Sequence, residues 1–146
     1  MDADAKLVSA LVRGVSILRC FSSKRQELSA KELMDLTGLP KPTVSRLTYT
    51  LTQLGYLRYR EEFGKYEVAA SVVGLAYPYI SKQVVPAIAR PLMLELAEQT
   101  QTNVGLGVYE GLSVLYLEYA PGDVKSSRRQ RVGFRVPLVR TAMGRG

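Results

Sequence analysis

The stretch Ser29–Leu54, SAKELMDLTGLPKPTVSRLTYTLTQL, constrains the fold more than any other, because it places two helical repeats of apolar residues on either side of a forced turn. Leu33 and Leu36 recur at helical spacing in its first half, and Val44, Leu47, Leu51 and Leu54 in its second. Each half therefore has one face to bury. Between them, Thr37-Gly38-Leu39-Pro40 offers a glycine that can take a positive φ to end the first helix, and a proline that blocks its continuation. This is the pattern of a helix-turn-helix. Ser29 followed three residues later by Glu32 is a capping box, so the first of these helices is predicted to begin at Ala30. Pro42 suits the first position of the second, where its missing N–H would have had no partner.

If Val44, Leu47, Leu51 and Leu54 face inward, then Pro42, Thr43, Ser45, Arg46 and Tyr49 project outward, with Lys41 just ahead of the first turn. A solvated helix face usually mixes glutamate with lysine, but no acidic residue occurs from Lys41 to Tyr56. A phosphate backbone approaching this face would favour that omission. An ordinary exposed helix is the competing reading.

Downstream of Gly55, the segment Tyr56 to Arg60 alternates like a strand, Glu61-Glu62-Phe63-Gly64 makes a turn, and Lys65 to Val68 alternates again. A helix-turn-helix followed by such a hairpin is a winged helix, with Arg58, Arg60 and Lys65 as candidate phosphate contacts on the wing. A plain hairpin covering the core is the alternative, and the two glutamates at its tip favour it. Upstream, Leu7, Leu11, Val15, Leu18 and Phe21 fall along one side of a helix that would close the core. Cys20 lies off that stripe and reads as a small packing residue, since no activating partner flanks it.

The later segments carry weaker signals. Val72, Val73, Leu75, Ala76, Tyr79 and Ile80 have helical spacing across 70–85, with a kink expected near Pro78. Ile88, Leu92, Leu96 and Ala97 predict another amphipathic helix from Ala87, and Val104–Val108 with Leu112–Tyr119 alternate like paired strands turning at Glu110-Gly111. Lys125–Arg145 holds seven basic residues and no acidic one.

Composition narrows the chemistry. The chain of 146 residues has no histidine, which removes Ser-His-Asp and Cys-His catalysis and the commonest zinc ligand. No catalytic residue, metal site or cofactor is expected, and the chain does not read as an enzyme. The net charge of +7 is uneven, with ten basic and five acidic side chains in residues 1–60. Such a surface attracts polyanions, DNA foremost. A lone cysteine, no signal peptide and no apolar run long enough for a bilayer predict a cytoplasmic protein with no membrane partner.

The runs RGVSILRCF, LSAKELMDLTGLPKPTVSRLTYTLTQLGYL and GKYEVAASVVGLA, continued by VVPAIARPLMLELAEQTQTNVGLGVYEG and RVGFRVPLVRTAMGRG, resemble the IclR family of bacterial transcriptional regulators. The resemblance covers nearly the whole chain. It implies an α+β protein: a winged helix-turn-helix DNA-binding domain at 1–69, a linker helix at 70–85 that helps join two subunits, with packing inside its own domain as the alternative, and part of a GAF-like α/β effector domain at 86–146. It also implies a double-stranded operator, (pseudo)palindromic in sequence, bound by a homodimer or homotetramer and controlled by a small organic effector. The DNA-binding set it supports is Ser29, Lys41, Pro42, Thr43, Ser45, Arg46, Tyr49, Arg58, Arg60 and Lys65, while no effector-binding residue is assigned. Two departures stand out. Val139 and Arg140 follow Pro137-Leu138 where the family typically has histidine and alanine. Family members also continue past the position of Gly146, so a truncated chain lacking most of the effector pocket is expected. A sensor or dimerisation module whose helix-turn-helix makes protein contacts remains the alternative.

Overall fold

The computed structural model describes residues 6–122 and 132–140, which fall into two compact units divided between Pro78 and Tyr79. The α+β class expected from the sequence is the one observed. In the first unit, helices α1 (Ser9–Arg19), α2 (Ala30–Thr37) and α3 (Lys41–Gln53) pack around a core of Ile17, Leu28, Leu33, Val44, Leu51 and Leu57. Strands β1 (Glu27–Ser29), β2 (Leu57–Arg60) and β3 (Lys65–Val68) form an antiparallel sheet of order β1-β3-β2. The β2–β3 hairpin is the expected wing. The short β1 escaped sequence reading because three residues carry too little pattern, and only their pairing with β3 makes them a strand.

Local chemistry fixes the helix ends. Gly38 takes φ 68° and returns its N–H to Met34 O at 2.8 Å, while Pro40 caps α3 by accepting from the N–H groups of Thr43 and Val44. Lys41 is therefore the first residue of α3 and Pro42 the second, one position later than the proline rule alone placed it. At the other end, Gly55 at φ 75° donates to Thr52 O and Tyr56 donates to Leu51 O, a Schellman motif that turns the chain into β2.

Three expected core faces are corrected. On α1 the buried positions are Gly14 and Ile17, supported by half-buried Leu18 and by Phe21 just beyond the helix, whereas Leu7, Leu11 and Val15 are exposed, Leu11 to 66%. Of the apolar repeat in the helix-turn-helix, Leu36 and Leu54 are exposed. Leu36 lies near the end of an eight-residue helix, and Leu54 lies past the last turn of α3. Thr48 takes the vacated inner position, fully buried, with its hydroxyl donating to Val44 O at 2.9 Å and so satisfied within its own helix.

Helix α4 (Ser71–Ile80) contains Pro78 and has no buried residue. A second helix, α5 (Val84–Thr100), begins after a break of three residues, so 70–85 holds parts of two helices. In the second unit α5 packs on a sheet of β4 (Val104–Glu110), β5 (Ser113–Ala120) and β6 (Arg135–Pro137), antiparallel in the order β4-β5-β6. The inward face of α5 is Ala89, Met93 and Ala97, against Val104, Leu106 and Ala120. Of the face that periodicity selected, Ala97 is buried as expected, whereas Ile88, Leu92 and Leu96 point outward, Leu92 to 65%. Two apolar stripes one residue apart run along this helix. The smaller side chains allow the closer approach to the sheet, and Arg90 on the same side reaches Glu118 at 2.7 Å.

Candidate nucleic-acid interface

Helix α3 owes its position to its own inner residues. Val44, Thr48 and Leu51 anchor it in the core, leaving Lys41, Pro42, Ser45, Arg46 and Tyr49 exposed on the outside, Tyr49 to 67%. Thr43, expected to project outward with them, is half-buried where α3 meets α1, at the edge of an apolar groove of about 620 Å³ lined in part by Leu11, Val15, Leu54 and Leu75. Thr50 and Gln53 are exposed further along α3 and were not singled out in the sequence. Their spacing from Arg46 would have revealed them.

The electrostatics of the two helix starts differ. At α2, Glu32 accepts from the Ser29 backbone N–H at 2.8 Å and from its hydroxyl at 2.7 Å, while the Glu32 N–H donates back to Ser29 Oγ at 3.3 Å. These bonds hold the Glu32 carboxyl below the usual carboxylate range, first through the backbone N–H, with Lys65 adding a smaller pull. Ser29 is thus engaged as the cap of α2, and Lys65 lies opposite it in register. At α3 no side chain caps the start, and its first turn carries Lys41 and no acid. Neither Lys41 nor Arg46 forms an ion pair among the described residues. The partial positive charge of that helix end is left open towards an anion.

The wing arginines are not free in the same way. Arg58 Nε donates to Glu67 Oε1 at 2.7 Å, and Arg60 Nη1 lies 3.6 Å from Glu67 Oε2. Arg60 also stands 4.0 Å from Glu62 and over the Phe63 ring, 5.5 Å from its centroid. Sequence reading assigned Arg58 and Arg60 without Glu67. Counting outward from the four-residue turn would have paired Arg60 with Lys65 and Arg58 with Glu67, the observed register.

In the basic cluster near the end of the chain, Lys125, Arg128, Arg129, Arg131 and Arg145 lie outside the described residues. Arg135 pairs with Glu110 at 2.5 Å. Cys20 is half-buried and packed against the first core; burial pushes its thiol up, against a smaller opposing effect of Arg25.

Comparison with known proteins adds to this geometry. The IclR helix-turn-helix domain matches residues 10–61, and the C-terminal domain of the bacterial transcriptional regulator IclR matches residues 77–146. The chain is 39% identical over 145 residues to the HTH-type transcriptional regulator TsaQ1/TsaQ2 of Comamonas testosteroni, covering 98% of this chain and 52% of that protein. An IclR family transcriptional regulator from Brucella abortus is similar in structure, with a TM-score of 0.78 at 38% identity, covering 99% of this chain and 55% of that one. An IclR homolog from Microbacterium hydrocarbonoxydans, complexed with 4-hydroxybenzoate, has a TM-score of 0.67 at 25% identity, covering 89% and 54%. The chain spans about half the length of the curated relatives it matches.

Proposed function

The chain belongs to the IclR family of bacterial transcriptional regulators, and on that premise we propose that it is a sequence-specific DNA-binding regulator whose α3 lies in the major groove of an operator. The observation that carries this reading is the outer side of α3. It presents Lys41 and Arg46, which form no ion pair among the described residues, beside Ser45 and Tyr49, with an uncapped, acid-free helix start. Lys41 and Arg46 contact guanine edges or phosphates, Ser45 forms shorter hydrogen bonds, and Tyr49 packs on sugar or a thymine methyl. Ser29 holds α2 in place beside the wing, whose Arg58, Arg60 and Lys65 face the backbone.

The regulator works as a homodimer or a dimer of dimers in the cytoplasm. Exposed apolar side chains on one side of α1 (Leu11, Val12, Val15) and on one side of α4 (Val73, Tyr77, Ile80) support a subunit contact there, because scattered single residues would not form such faces. Among the described residues no helix is long and apolar enough to cross a membrane. The second unit supplies part of a small-molecule sensing domain, and the relative complexed with 4-hydroxybenzoate supports an organic effector.

Selection of bound duplexes from a random pool at near-physiological salt tests this function. Enrichment of a palindrome is the expected result, its half-site spacing reporting the dimer geometry. Recovery of no preferred sequence would overturn it.

A further inference from the structure

Glu67 has no place in the interface just described, yet it is the hub of the wing. Its side chain is 18% exposed and takes both wing arginines, whereas Arg58 itself is 68% exposed. Glu27 of the edge strand β1 lies opposite Glu67 of the central strand β3 in register. A carboxylate held on a guanidinium Nε–H occupies a donor that a DNA phosphate would otherwise take, and its charge opposes the phosphate's approach. The remaining donors of Arg58 stay available to a phosphate that arrives in the right place.

We propose that Glu67 is a specificity-determining residue of the DNA interface, an internal counter-ion that holds Arg58 and Arg60 in one pose and suppresses sequence-independent binding by the wing. This rests on the DNA-binding reading given above. On a duplex without the operator sequence, the protein is held through phosphates alone, and the wing must adapt to whatever backbone it meets. Arginines pinned by Glu67 adapt poorly. On the operator, base contacts from α3 fix the register and bring a phosphate to the pinned pose, so less is lost.

The test uses the full chain and two duplexes, one of mixed sequence and one selected as above, each titrated at several salt concentrations. E67Q keeps the shape and removes the charge. It is expected to tighten binding to the mixed duplex by about three- to tenfold at low salt and to steepen the slope of log affinity against log salt by about one unit, the release expected per added phosphate contact. The preferred duplex should gain less, so the ratio between the two falls. E67D, which retains the charge, should behave as wild type. R58A/R60A in the E67Q background should erase the gain, which assigns it to the wing rather than to the basic cluster near the end of the chain. An unchanged slope in E67Q, weaker binding, or a gain that survives R58A/R60A would overturn the proposal. If wild type prefers no sequence, the DNA-reading function fails; the mixed-duplex comparison of E67Q with wild type still decides whether Glu67 restrains the wing.

Discussion

Ser29 and Glu32 close on each other across the first turn of α2, the serine N–H and hydroxyl both donating to the carboxylate at 2.8 and 2.7 Å and the glutamate N–H returning a bond at 3.3 Å. The same serine ends β1. One residue therefore fixes both where the sheet stops and where the helix that supports α3 begins.

Ser29→Ala should lower stability by about 0.5–2 kcal/mol, the usual cost of removing a serine cap. Chemical denaturation of the variant against wild type measures it. Loss of the cap should also loosen α2 relative to α3, so DNA affinity should fall with stability.

The Glu32 carboxyl is held below its ordinary range by Ser29, backbone N–H first. A depressed folded-state pKa contributes stability above the unfolded value, and that contribution is lost as pH falls through the lowered folded value. The window lies on the acid side of about pH 4.3, the ordinary glutamate value. Thermal unfolding between pH 3 and 6 should show the acid loss of stability reduced in Glu32→Gln, which does not titrate. Identical acid profiles would mean that the capping carboxylate has no part in it.

Gly14 is buried in α1, and a Cβ there would meet Leu47 Cδ2 at 3.9 Å, an ordinary contact distance. Gly14→Ala should then stabilise the first unit by about 0.5–1 kcal/mol, the helix penalty of glycine. Thermal unfolding followed by circular dichroism reads the shift. A fall in melting temperature would show that α1 needs the glycine for a closer approach to α3.

Cys20 Sγ donates to Ser16 O at 3.3 Å, and burial pushes the thiol up. At neutral pH it should react with an alkylating reagent more slowly than in denaturant, since the thiolate is the nucleophile. Equal rates would contradict a packed, inert thiol.

Much of the first unit could be read from the sequence because its signals are local. The Ser29–Glu32 box, Gly38 and Gly55 each set a chain reversal within a few residues, and the Glu61–Gly64 turn sets the register of the wing. The helix faces were harder. In α1 and α5 two apolar stripes lie side by side, and periodicity cannot tell the one that buries from the one left outside; Ala97 was read correctly, but Ala89 and Met93 were passed over for Ile88, Leu92 and Leu96. Thr48 was missed because a hydroxyl that bonds its own helix can be buried like an apolar group. On the wing, the arginines were legible as charges, but Glu67 became visible only once the strands were paired.

If the outer side of α3 reads DNA, Arg46, exposed on that side, is the residue whose loss should be felt first. Arg46→Ala and wild type would be titrated against the selected duplex and a scrambled one at two salt concentrations. If Arg46 is bidentate to a base, the variant loses about 1–3 kcal/mol on the selected duplex and relaxes specificity at one position, with much less change on the scrambled one. A variant with unchanged affinity and unchanged preference would remove Arg46 from the interface and contradict the account.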